Sequence, residues 1–238
     1  MNEVVVTSLS GSRLAHMSPS LDDMASRVLA EHASSQRTRT IVALAGPPAA
    51  GKSTLSESLG ETLNALEPGI AVVVPMDGYH YDNAVLAPLG LLYVKGAPET
   101  FDARGLYHDL VRVRADDGPV AVPVFDRPLD LARAGGRVVE NHHRIVLVEG
   151  NYLLLRHAPW DALLGLFDIS IFLDIEDEVL VPRLLHRWRE MGQDAHGAHE
   201  RTHHKDMLNA HLIKQDSLNA DWRWRLANAP IGPDGEGS

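Results

Sequence analysis

The sequence predicts an α/β protein, a three-layer α/β/α sandwich with a mainly parallel sheet and a helical lid. Three observations predict it. Four apolar runs, at about 40–45, 70–75, 143–150 and 168–175, are continuous and rich in β-branched residues, as strands buried on both faces are. Segments of helical period separate them, the alternation that builds a parallel sheet. The first run also breaks directly into Gly46-Pro47-Pro48-Ala49-Ala50-Gly51-Lys52-Ser53-Thr54, a G-x-x-x-x-G-K-[ST] spacing set between a strand-like and a helix-like stretch.

The elements follow in order. Residues 1–19 are Ser/Gly-rich and aperiodic, and are expected as a loose extension. Ser20 with Asp23 three residues on reads as a helix start, followed by the apolar stripe Leu21, Met24, Val28 and Leu29. After the glycine-rich loop a helix runs to about Ala65, closed by Pro68-Gly69 before the strand IAVVVP. From Asp77 to about Phe101 the chain is irregular; DARGLYHDLVRVRA then restores a helical period with Asp102 as its cap. PVAVPVFD (119–126) is a short strand, with GGRVVE as the return of a hairpin. HRIVLVEG and DISIFLDI are buried strands joined through PWDALLGLF, an amphipathic turn. VLVPRLLHRWREM and KDMLNAHLIKQDSL are helical, separated by a Gly/His-rich stretch read as mobile surface. ADWRWRL ends the domain as a last strand, where Trp222 and Trp224 alternate as sheet-packing residues. The expected organisation is one domain over 20–228, with a lid at about 183–207 and a loose tail at 229–238.

Composition narrows the function. A net charge of −10 over 238 residues argues against general nucleic-acid binding, which needs a basic face. The absence of cysteine excludes disulfides, thiolate metal sites and cysteine nucleophiles. No run has the length of a membrane span, and the N-terminus lacks a basic segment followed by an apolar one. A cytoplasmic protein that does not bind membranes is expected.

Phosphate chemistry explains the glycine-rich loop. Its glycines let successive N–H groups point inward, and the following helix adds its positive end. Lys52 then reaches the β- and γ-phosphates, and the Ser53 hydroxyl ligates Mg²⁺. Glu149 ends a buried strand at the sheet edge where ligands bind, and sits near that Mg²⁺. Asp77 ends another strand at the same edge, where a carboxylate takes the proton of an attacking hydroxyl or helps hold Mg²⁺; a plain Asp-Gly turn is the alternative. Lys95 lies in LYVKGAPETFD, either a ligand-binding or a purely structural loop. Arg183 and Arg187, one helical turn apart, can straddle a polyphosphate, or form a solvated basic face with Glu190. His80 follows Asp77 by three residues and either binds substrate or packs. Among thirteen histidines, His199, His203 and His204 have a helical spacing, but without H-E-x-x-H a metal site is not expected there.

GPPAAGKST, MDGYHYDNAVL, KGAPETFD, PVFDRPLD and VLVEGNYLLL together resemble the uridine kinase, phosphoribulokinase and pantothenate kinase branch of the P-loop kinases. In particular they are similar to bacterial proteins labelled fructose transport system kinases or nucleoside/nucleotide kinase-like proteins. The likeness runs in consistent order over about 21–226, and MDGYH is also similar to the Asp-Gly-Phe segment of pantothenate kinases. The resemblance implies a P-loop NTPase fold and roles for individual residues. Lys52 and Ser53 match the phosphate and Mg²⁺ ligands, Asp77 the catalytic base, and Glu149 the acidic residue of the second nucleotide motif. Arg183 and Arg187 match the lid arginines, and PVFDR falls near the acceptor pocket, so Tyr79, His80, Lys95, Phe125 and Arg127 are the expected acceptor contacts. Phe125 stands where uridine kinases often have Tyr, and their following His and Arg are absent from PLDLARAGG, which argues against uridine specificity. Ala49-Ala50 replaces a common Gly-Ser pair.

The resulting expectation is a kinase that uses Mg²⁺ and ATP and phosphorylates a hydroxyl of a sugar, nucleoside or pantothenate-like acceptor, with self-association left open. The alternative is a P-loop ATPase or regulatory nucleotide-binding protein with no acceptor. A GTPase is disfavoured because no N-K-x-D motif occurs.

Overall fold

The computed structural model describes residues 20–225. The expected extension at 1–19 and tail at 229–238 lie outside the described residues. The chain order is α1 (Leu21–Ser34), β1 (Thr40–Ala45), α2 (Lys52–Leu66), β2 (Ala71–Pro75), α3 (Asn83–Leu86), α4 (Ala103–Ala115), β3 (Val120–Asp126), β4 (Leu131–Val139), β5 (Ile145–Gly150), β6 (Ile169–Asp174), α5 (Asp177–Glu190), α6 (Ala195–Arg201), α7 (Met207–Asp216) and β7 (Trp222–Arg225). Short 3-10 turns cover Met76–Tyr79, Pro98–Thr100 and Trp160–Leu166. α1 opens as its sequence demands: the Ser20 hydroxyl accepts from Asp23 N–H and the Asp23 carboxylate from Ser20 N–H, both at 3.1 Å.

The main sheet has the order β2-β5-β1-β6-β7, and every pairing is parallel. Side-chain alternation divides its core in two. Ile41, Ala43, Val146 and Val148 face α4 and the Trp160 turn, where Leu106, Leu110, Tyr152 and Trp160 complete one cluster. Val42, Leu44, Ile145 and Leu147 face α1 and α2, packing on Met24, Val28, Leu59 and Leu63. Both faces are covered, which is why these strands read as unbroken apolar runs. The two tryptophans of β7 pack at the edge of the second cluster. No helix among the described residues is long and apolar enough to cross a membrane.

β3 and β4 form a separate antiparallel hairpin, with a register shift between Val122 and Val124. The return strand starts at Leu131, earlier than the glycines of GGRVVE indicate. The turn is made by the Asp126 carboxylate, which accepts from Leu129 N–H, and by Asp130 at φ 51°. Gly136 sits inside the strand because a Cβ there would lie 2.2 Å from Val124 Cγ2. The hairpin lies so close on the 76–79 turn that a Cβ on Gly78 would sit 2.2 Å from the Pro123 carbonyl oxygen. Gly78 therefore brings Arg127, at the hairpin tip, over Asp77.

Arg39 is fully buried and ties three segments together. It donates to the carbonyls of Val113, Glu140 and His143 at 2.8, 3.0 and 3.1 Å and pairs with Asp116 at 2.8 Å. Arg39→Met is expected to lower the unfolding free energy by about 3–5 kcal/mol in a urea titration. It would strand three carbonyls and remove one of the two arginine partners of a buried carboxylate.

Candidate active site

The glycine-rich loop leaves the C-terminal edge of β1 and enters α2 at Gly51, whose φ of 93° suits glycine. No side chain caps that end and no acidic residue sits in its first turn, so the orphan N–H groups stay available for an anion. Ala49 takes the left-handed conformation at φ 60°, which its Cβ disfavours and the loop imposes. Pro48, Ala49 and Gly51 to Thr54 line a cavity of about 570 Å³. Gly46, Pro47 and Ala50 form the loop wall behind it, with the Pro47 carbonyl accepting from Lys52 Nζ at 2.8 Å. Burial pushes the Lys52 ammonium down to about 8, against the pull of Glu149 and Asp77.

Glu149 is 7% exposed, and its carboxylate accepts from the Ser53 hydroxyl at 3.3 Å. Burial, and then the charge of Asp77, raise its pKa well above the usual carboxylate range, with Lys52 opposing. Asp77 Oδ2 pairs with Arg127 at 2.8 Å. Its Oδ1 has no hydrogen bond among the described residues. The strands carrying these carboxylates are neighbours, with Pro75 opposite Glu149 in register. The Ser53 hydroxyl with two carboxylates suits Mg²⁺, a hard cation commonly held by one or two carboxylates together with substrate phosphates. Among the described residues no group of three or more His, Asp or Glu would hold a metal unaided.

Opposite the loop, His80 is packed between Phe101 and Phe125, with ring centroids 3.9 and 4.6 Å away. Its Nδ1 lies 2.8 Å from the Asp77 carbonyl, which can only accept, so Nδ1 carries the proton and Nε2 is left as an acceptor. Burial is the largest effect on the imidazole and lowers its pKa, keeping it neutral. As pH drops below about 6.5 the unfolded chain binds a proton at His80 that the folded chain resists, so stability falls. The melting temperature is expected to drop between about pH 7.5 and 5.5, and to drop less in His80→Gln; equal drops would mean that folding does not hold His80 neutral.

Lys95 lines the cavity, but its ammonium is committed. It binds Asn83 Oδ1 at 2.7 Å and the Asp130 carbonyl and carboxylate at 2.8 and 3.0 Å, locking the hairpin tip to the 83–95 loop. The KGAPETFD loop is held from within by Thr100 Oγ1, which accepts from Gly96 N–H, and from outside by the Tyr152 hydroxyl on the Gly96 carbonyl. Asp102 caps α4 as expected. Tyr79 requires a correction. Its ring is buried in the core and its hydroxyl donates to Asp109 Oδ2 at 2.9 Å, so it does not line the cavity and is no acceptor contact in this structure.

The lid wall also differs from expectation. α5 buries Leu180, Leu184 and Trp188. Arg187 lines the cavity; Arg183, one turn earlier, does not. The Gly/His-rich stretch is helical, in keeping with the helical spacing of His199, His203 and His204: α6 passes into a π-helical turn, Thr202–Asp206, that continues as α7. That turn brings Lys205 and Asp206 to the cavity beside Arg201. These three were not singled out from the sequence. The signal in the sequence is ERTHHKD, where basic residues follow a Trp-containing helix.

No family model matches the chain. A Schizosaccharomyces pombe protein provisionally named a uridine kinase is 35% identical over 192 residues, covering 77% of this chain and 81% of that protein. The chain belongs to the uridine kinase, phosphoribulokinase and pantothenate kinase superfamily of P-loop kinases. It is an ATP-dependent phosphotransferase acting on an alcohol group. The crystal structure of a protein described as a fructose transport system kinase, from Silicibacter sp. TM1040, superposes on this kinase with a TM-score of 0.81 at 40% identity, over 87% of this chain and 99% of that one. Pantothenate kinase from Brucella ovis is 31% identical over 161 residues, and the kinase spans 48% of that longer protein.

Proposed function

We propose that this kinase transfers the γ-phosphoryl of ATP to a hydroxyl of a sugar, nucleoside or pantothenate-like small molecule, with Asp77 as base. The observation that carries the reading is the meeting of Lys52, Ser53, Glu149 and Asp77 on one sheet edge, facing one cavity whose far wall is His80, Phe101 and Phe125. A phosphate-binding half and an acceptor-shaped half thus share one space.

In this reading the backbone of the loop and the start of α2 hold the triphosphate, and Lys52 leaves the Pro47 carbonyl for its outer oxygens. Ser53 and Glu149 would hold Mg²⁺, which neutralises charge on the phosphoryl oxygens when bound. Arg127 orients the Asp77 carboxylate through Oδ2, leaving Oδ1 to accept the hydroxyl proton. As that proton moves to Asp77, the acceptor oxygen forms its bond to the γ-phosphorus. The bond from phosphorus to the β,γ-bridging oxygen breaks, and ADP leaves with the electron pair. Arg187 is placed to meet the charge shared between the two halves.

The test is a screen of the purified protein with Mg·ATP against nucleosides, sugars and pantothenate, reading ADP release. Stimulation by one class is expected. Hydrolysis indifferent to every compound would favour an ATPase without an acceptor.

A further inference from the structure

Arg201 and Lys205, at the acceptor end of the cavity, share a single neighbouring carboxylate, Asp206, so positive charge is in excess there. Arg201 and Lys205 both lie over the indole of Trp188, with Arg201 Cζ at 4.8 Å and Lys205 Nζ at 5.2 Å from the ring centroid. The indole is fixed in turn, its Nε1–H donating to Asp206 Oδ2 at 2.7 Å. Neither cation has a hydrogen bond or a salt bridge among the described residues, although the whole chain has a net charge of −10. Surface cations in such a chain find carboxylates easily. These two are held instead by an aromatic face, with their charged ends at the cavity.

Their position separates them from the phosphate loop. A side chain on Gly96 would sit only 3.6 Å from Lys205 Cε, so Lys205 reaches across to the loop that carries Lys95 beside Phe125. The nearby Asp206, whose carboxylate accepts from the tryptophan, is shared as counter-charge by Lys205, Arg187 and Arg201, and Asp130 is held by Lys95 and Asn83. The donor half has its own complement, namely Lys52, the open end of α2 and Arg187. The charge of Arg201 and Lys205 is therefore surplus to a triphosphate.

We propose that Arg201 and Lys205 form an anion subsite at the acceptor end, and that the molecule phosphorylated is a hydroxyl compound carrying its own carboxylate or phosphate. This rests on the kinase reading above and names the class of its acceptor. Neutral sugars and nucleosides would leave the excess positive charge of two half-buried cations without a counter-ion and so be poor substrates.

Matched acceptors test it: glycerol against glycerate and glycerol 3-phosphate, fructose against fructose 6-phosphate, and pantothenol against pantothenate. The anionic member of a productive pair is expected to have the higher kcat/KM by about tenfold or more. The carboxylate and phosphate arms show which anion is preferred. Arg201→Gln and Lys205→Gln are expected to raise KM for that acceptor about tenfold or more while changing KM for ATP little, and Lys205→Arg to keep most of the affinity. A direct measurement uses inorganic phosphate as the probe, titrated into the protein saturated with Mg²⁺ and the β,γ-imido analogue of ATP. Phosphate is expected to bind beside the analogue, and about tenfold more weakly in Lys205→Gln. Equal turnover of neutral and anionic partners, loss of phosphate binding when the analogue is present, or a rise confined to KM for ATP would overturn the subsite. Phosphate binding beside the analogue without turnover of any acceptor would support the subsite and count against the kinase reading.

Discussion

Asp77→Asn is expected to lower kcat by about 10²–10⁴-fold, with the fold, the melting temperature and the KM for ATP nearly unchanged. Asparagine keeps the shape of the side chain and still offers Arg127 an oxygen at the position of Oδ2, so the 76–79 turn and the hairpin contact survive. What disappears is a carboxylate able to take the acceptor's proton. The loss should therefore fall on the chemical step and be seen in single-turnover rates as well as at steady state. If Asp77 serves chiefly to hold the metal with Glu149, the variant would instead raise the Mg²⁺ concentration needed for half-maximal rate, and excess Mg²⁺ would restore turnover.

Lys52→Met is expected to cost about 10²–10³-fold in kcat, the scale of removing one preorganised group from developing charge in a dry site. Methionine fills most of the volume of the lysine stem, so the buried position at the cavity wall stays packed. The ammonium is already desolvated and pulled toward Glu149 and Asp77, and its lowered pKa records the cost of keeping it there. A phosphoryl group brought beside it repays that cost most where its charge is spread, in transfer. The substitution relieves the burial penalty as well, so the variant is expected to melt no lower than the parent while losing turnover. A large fall in melting temperature without a fall in kcat would mean that Lys52 is a structural residue.

The donor half of the site was legible in the sequence, because its chemistry is local. Gly46 to Thr54 is one contiguous loop, and Glu149 and Asp77 each end an apolar run whose burial on both faces fixes it as a parallel strand. The acceptor half was less legible, since its residues come together only through tertiary contacts. Nothing in PVFDRPLD announces that Arg127 lands on Asp77; that depends on Gly78 letting the hairpin approach at Pro123. The resemblance implies an acceptor role for Tyr79, yet it stands two residues past Asp77 in a 3-10 turn, where side chains so spaced diverge, and its ring goes to the core. The glycines of ARAGG lie in the return strand, and only the tertiary packing shows why: Gly136 leaves room for Val124. In the lid, one additional residue in the helical turn at Thr202–Asp206 sets which side chains face the cavity, and no simple period reveals it.

The central claim is that one cavity joins a nucleotide to a hydroxyl acceptor through Asp77. It is tested most directly by following ATP labelled in its γ-phosphoryl group through a single turnover with the acceptor found in the screen. The label is expected to appear on the acceptor rather than as inorganic phosphate, and at least about 100-fold more slowly in Asp77→Asn. Label released as inorganic phosphate, at one rate with or without acceptor and in both proteins, would contradict it.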